Sequence, residues 1–119
     1  MHAEEIREYC IVKKGVTESF PFDETTLVFK VMNKMFLLCS LDAQPVQFNA
    51  KCNPEKAIEL REQYPDAVLP GYHMNKQHWN TIICNEILSE KQTKQLMDDS
   101  YNLIVDSLPK KVKAELESL

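Results

Sequence analysis

The chain has 119 residues, 44% hydrophobic and 27% charged, which fits a single folded domain over residues 1–119 and excludes a disordered or fibrous chain. Two glycines leave no room for a glycine-rich phosphate loop, and no apolar run approaches the roughly 20 residues of a membrane-spanning helix. The net charge of −4 argues against broad, non-specific nucleic-acid binding, although residues 26–84 are slightly basic, with six Lys/Arg against five Asp/Glu, between two acidic flanks.

The acidic start, Met1-His2-Ala3-Glu4-Glu5, has helical character and lacks the features of a secretory leader. Residues 3–14 are predicted as a helix, with Ala3, Ile6 and Cys10 on one face, Glu4, Glu5 and Glu8 toward the N-terminal end of the dipole, and Gly15 as a left-handed stop. Phe20-Pro21-Phe22-Asp23 follows, where proline favours an extended path and the two phenylalanines call for burial. A short edge strand or an anchored loop is expected there.

Residues 26–41 form the clearest hairpin, two runs rich in β-formers that meet at Asn33-Lys34. Both runs are apolar on both faces, so either helices cover both sides or the open side carries an apolar patch, with Lys30 on it. Asp42-Ala-Gln-Pro45 is a turn. Val46, Phe48, Ala50 and Cys52 then alternate with Gln47, Asn49 and Lys51, the pattern of a half-exposed antiparallel strand.

Asn53 is the N-cap and Pro54 the first residue of a helix running to about Gln63, and Pro65 ends it. Residues 66–70 read as loop. From His78 onward, His78, Asn80, Ile82 and Cys84 share one face of a strand, and Trp79, Thr81 and Ile83 the other. Ser89 with Gln92 makes a capping box for a long helix to about Leu108 with an apolar stripe of Met97, Tyr101, Ile104, Val105 and Leu108. A short terminal helix from Lys110 to Leu116 closes the chain. The order implies an α+β fold, a two-layer sandwich with helices packed on one face of an antiparallel sheet and the other face open to water or a partner.

The four cysteines, Cys10, Cys39, Cys52 and Cys84, have apolar neighbours and no C-x-x-C spacing, so buried free thiols in a reducing cytoplasm are expected. The chemically richest stretch is residues 71–84, which holds the only tryptophan, two of three histidines and Lys76 between polar side chains. His73, His78 and Cys84 lack metal-ligand spacing, no catalytic motif appears, and neither a cofactor nor catalysis is expected.

Four colinear pieces carry a resemblance: Gly71-Tyr-His-Met-Asn-Lys-Gln-His-Trp-Asn-Thr, Phe20-Pro-Phe-Asp, Lys30-Val-Met-Asn-Lys-Met-Phe, and Lys51-Cys-Asn-Pro-Glu-Lys with Leu60-Arg-Glu-Gln-Tyr-Pro. Together they span nearly the whole chain, which resembles the MmcQ/YjbR family of small bacterial proteins. The resemblance implies a CyaY-like (frataxin-like) fold and DNA binding through a double-wing arrangement of loops. Carried onto matching positions, it points to Lys30, Lys34, Lys51, His73, Asn75, Lys76, His78, Trp79 and Asn80.

In that reading the four lysines neutralise phosphates, Asn75 and Asn80 offer hydrogen bonds, and Trp79 stacks on an unpaired base. Four phosphate contacts predict weak binding with a salt slope of about −3 to −4. The bland alternative makes Trp79 a core residue and the lysines solvated. A different class of function is a protein-interaction or metallochaperone-like module, using either an open apolar face of Val28, Met32, Phe36 and Leu38 or the carboxylates of Glu4, Glu5 and Glu8. A monomer without membrane contact is expected in either case.

Overall fold

Local signals place most of the elements. In a computed structural model describing all 119 residues, the chain runs α1 (Ala3–Ile11), β1 (Val16–Ser19), β2 (Thr26–Val31), β3 (Lys34–Ser40), β4 (Gln47–Lys51), α2 (Pro54–Gln63), β5 (Val68–Pro70), β6 (Trp79–Ile83), α3 (Glu90–Ser107) and α4 (Lys110–Glu117). Asn53 caps α2, its side chain accepting from the amides of Glu55 and Lys56. Ser89 caps α3 in a reciprocal box with Gln92, at 3.0 and 2.8 Å. His2 makes the equivalent box with Glu5 at the start of α1, a cap the sequence pattern did not reveal. Gly15 takes a φ of 73°, and a side chain there would also run into Leu116.

The six strands form one antiparallel sheet in the order β1-β2-β3-β4-β6-β5. Three expectations about strand and turn placement need correction. The first edge strand is Val16–Ser19, and the Phe-Pro-Phe-Asp segment after it takes the loop form of the two expected, with its phenylalanines exposed instead of buried, 49% for Phe20 and 64% for Phe22. Residues 68–70, expected as loop, form the opposite edge strand, three residues long and ending at Pro70 where a lost amide matters least. The β2–β3 turn sits at Met32-Asn33, one residue earlier than expected, with both φ angles positive as a two-residue hairpin loop requires.

One sheet face is dry. Phe29, Leu37, Phe48 and Ile82 pack there against Ile6 and Cys10 of α1 and Leu96, Met97 and Ile104 of α3, so burial on this side is the main apolar driving force of the fold. The β2–β3 register shifts next to Phe29, and Phe36 turns toward the helices, where its ring meets Tyr101 edge-on at 5.4 Å. Phe36 therefore leaves the apolar patch expected on the open face, and Met32 sits in the turn instead. Ser100 of α3, fully buried, bridges the sheet where β3 and β4 part: its hydroxyl accepts from the Lys51 amide at 2.8 Å and donates to the Phe36 carbonyl.

Candidate functional site

The second sheet face carries no helix. Alternation from the core residues places Thr26, Val28 and Lys30 of β2, Leu38 and Ser40 of β3, Asn49 and Lys51 of β4, and Trp79 and Thr81 of β6 on it. The face is not bare, since Val28 is fully buried, Leu38 is 7% exposed and Thr81 3%. Two loops rise beside it: residues 20–25 after β1 and residues 71–78 before β6.

The second loop is pinned at many points. Gly71 donates its amide to the Trp79 carbonyl at 2.9 Å, and a side chain at Gly71 would come within 2.8 Å of Trp79, so only glycine allows this approach. The Tyr72 amide donates to the Thr81 hydroxyl at 2.9 Å, that hydroxyl donates to Asn49 Oδ1 at 2.6 Å, and Asn49 Nδ2 donates to the Tyr72 carbonyl at 3.0 Å. This closed ring of three bonds ties the loop to two strands. Asn75 Oδ1 accepts from the amides of Gln77 and His78, an Asx turn that reverses the chain, and His73 sits at a φ of 60°. From the helix side, Arg61 of α2 donates to the carbonyl of Lys76, to that of Trp79 at 3.4 Å and to Asn80 Oδ1 at 2.7 Å.

Between the two loops lies a groove of about 620 Å³. Met35 and Leu38 form an apolar part of its floor, Phe22 and Asp23 line one wall, and Tyr72 and His73 the other. The Tyr72 and His73 rings lie 4.0 Å apart, with Tyr72 69% exposed. Asp23 accepts from the amides of Thr25 and Thr26 at 2.9 and 2.7 Å, which holds its carboxyl below the usual carboxylate range and keeps it charged. Asp42 lines the end of the groove away from the hairpin turn, and no Lys or Arg lines it at all.

The lysines border it instead. Lys30 stands directly across the β2–β3 pair from Met35, and Lys51 lies two residues beyond Asn49 on the same face, opposite Trp79. Lys34 is exposed beside the hairpin turn, and the Lys76 ammonium donates to the Gly71 carbonyl at 3.3 Å within its own loop. None of these four has a carboxylate within 4 Å; on the helical side Lys13, Lys56 and Lys94 are ion-paired, and Lys14, Lys91, Lys110, Lys111 and Lys113 are not. Trp79 is half-buried on the open face and not part of the core. His73 and Asn75 are exposed and His78 half-buried. Asn80 is the clear departure. It is 1% exposed and faces α2, held by Arg61 and the Ala57 carbonyl, so it cannot reach a ligand on the open face.

The YjbR family model matches residues 12–103, a span that includes both loops, the hairpin and Arg61. The chain belongs to the YjbR family. It is 41% identical over 93 residues to the uncharacterized protein YbdF of Escherichia coli O157:H7, covering 77% of this chain and 75% of that one. It is 32% identical to the uncharacterized protein YjbR of Escherichia coli K12 over 119 residues, the full length of both. Among solved structures, protein DR2400 of Deinococcus radiodurans superposes with a TM-score of 0.93 at 32% identity, covering 98% of this chain and 88% of the other.

For this YjbR-family chain, sequence reasoning missed three contributors to the site. Phe22 and Tyr72 wall the groove although aromatic residues ordinarily signal burial. Arg61, which entered only as a residue of the second helix and of the Leu60-Arg-Glu-Gln-Tyr-Pro piece, reaches through to three groups of the strand and loop. Its position in the last turn of α2 gave no sign of that role.

Proposed function

We propose that this protein binds nucleic acid through the open face of its sheet, as a binding protein rather than an enzyme. The observation that carries the reading is the position of Lys30 and Lys51, which share the helix-free face beside the groove with no carboxylate within 4 Å of either. Unpaired ammonium groups on a rigid β-surface suit phosphate oxygens, and Lys34 and the anchored Lys76 extend the set. The reading is also supported by the state of the thiols: burial keeps Cys10 and Cys39 neutral and therefore poor nucleophiles.

The acidic first helix offers less as a metal-holding ridge. Glu5 is engaged with His2, and no group of three His, Cys, Asp or Glu side chains converges anywhere in the molecule. No helix is long and apolar enough to cross a membrane.

The test is fluorescence anisotropy with a labelled oligonucleotide, titrated across a series between about 50 and about 200 mM salt. Four phosphate contacts give a slope of about −3, and Lys30→Ala with Lys51→Ala cuts it to about half while leaving the melting temperature within a degree or two. Affinity independent of both salt and the two lysines would overturn the reading.

A further inference from the structure

Resting on that reading, we infer that the ligand is single-stranded and that an unpaired base enters the groove between Phe22 and Tyr72. The argument begins with charge. The groove is lined by Asp23 and Asp42 and by no Lys or Arg, so it repels a phosphate and admits only a neutral part of a polyanion. The cations stand at its hairpin end, Lys30 across from Met35 and Lys51 next but one to Asn49, each a neighbour on the same sheet face. A strand whose phosphates lie on these lysines therefore has its bases, not its backbone, directed along the groove.

The lining fits a base. Phe22 and Tyr72 are both largely exposed, an arrangement that costs apolar hydration in the free protein and is relieved when a planar ring stacks on them. Met35 and Leu38 supply an apolar floor. Asp23 Oδ1 takes two amides and the Thr25 hydroxyl, while Oδ2 has only the Thr26 hydroxyl at 3.1 Å and keeps a lone pair for an exocyclic amino group. The Tyr72 backbone is held in place by the ring of bonds through Asn49 and Thr81, so the loop that carries the ring needs little ordering on binding. A duplex fits worse, because its bases are stacked inward and its second phosphate strand would lie against the acidic end of the groove.

The experiment compares three labelled oligomers under the same low-salt conditions: a single strand, the same sequence as a hairpin duplex, and an abasic phosphodeoxyribose strand of equal length. Wild-type protein is expected to bind the single strand about tenfold more tightly than either of the others. Tyr72→Ala and Phe22→Ala should each remove most of that preference without changing duplex affinity, and Tyr72→Phe should retain it. Circular dichroism melts confirm that these exposed-site variants remain folded. Equal affinity for all three oligomers, unchanged by Tyr72→Ala but weakened by Lys30→Ala with Lys51→Ala, overturns the base groove and leaves the phosphate-binding face intact. No binding to any of them overturns both.

Discussion

Arg61 holds together two parts of the molecule that are separate in sequence. Its guanidinium satisfies Asn80 Oδ1, an acceptor buried with its residue at 1% exposure, and at the same time fixes the carbonyls of Lys76 and Trp79 at the base of the 71–78 loop. Arg61→Ala strands that acceptor and should cost about 1–3 kcal/mol in urea unfolding. Arg61→Lys should recover little, since an ammonium cannot reproduce a planar fork that serves several oxygens at once. A near-complete rescue by lysine would show that only the charge matters. None of this was visible in the sequence, where alternation set Asn80 on the same face as Ile82 and the resemblance still assigned it to the ligand. The period of a strand tells which side a residue takes, and the helix that covers that side is a tertiary fact.

Between helix and sheet, the decisive contact is Ser100. The register shift near Phe29 and the end of β3–β4 pairing leave a Lys51 amide and a Phe36 carbonyl without strand partners, and the single hydroxyl of Ser100 serves both. Ser100→Ala should therefore lower stability by about 1–3 kcal/mol and loosen β4 where Lys51 projects, which amide hydrogen exchange at Lys51 would report. Protection of that amide unchanged in the variant would mean that another acceptor takes over. Element placement itself was largely legible where the signal is local. Asn53-Pro54 starts α2, Ser89 with Gln92 starts α3, and the strict alternation over residues 46–52 gives β4. The edge strands were not, because Val16–Ser19 and Val68–Pro70 are too short to establish a period and exist by pairing with β2 and β6. The groove was equally out of reach, since Phe22 and Tyr72 come from loops that meet only across the assembled sheet.

Across the whole molecule, the buried thiols set an alkaline limit. Burial pushes Cys10 and Cys39 from 9.0 up to about 12, and burial together with the Asp98 hydrogen bond pushes Tyr9 from 10.0 to about 12. The folded values lie above the unfolded ones, so their stabilising contribution is complete below about pH 9 and disappears as the pH rises toward about 12. The melting temperature should fall steadily over that window, and Cys10 and Cys39 should resist thiol reagents at neutral pH until the chain unfolds. A melting temperature flat across the window would contradict the burial argument.

The two rims of the sheet bear on what kind of partner can dock at all. An open sheet can recruit a further strand from another chain through its unpaired amides and carbonyls, and proteins discourage this with short, charged or proline-bearing edges. Here one rim is the four-residue β1, whose Glu18 is clasped by Arg7 at 2.7 Å, and the other is the three-residue β5, closed by Pro70. Both rims therefore carry the features by which sheet proteins discourage strand addition, whether by an extended peptide or by another copy of the chain. In the reading proposed here the ligand comes instead from above the pleat, where side chains meet its charge and its flat surfaces.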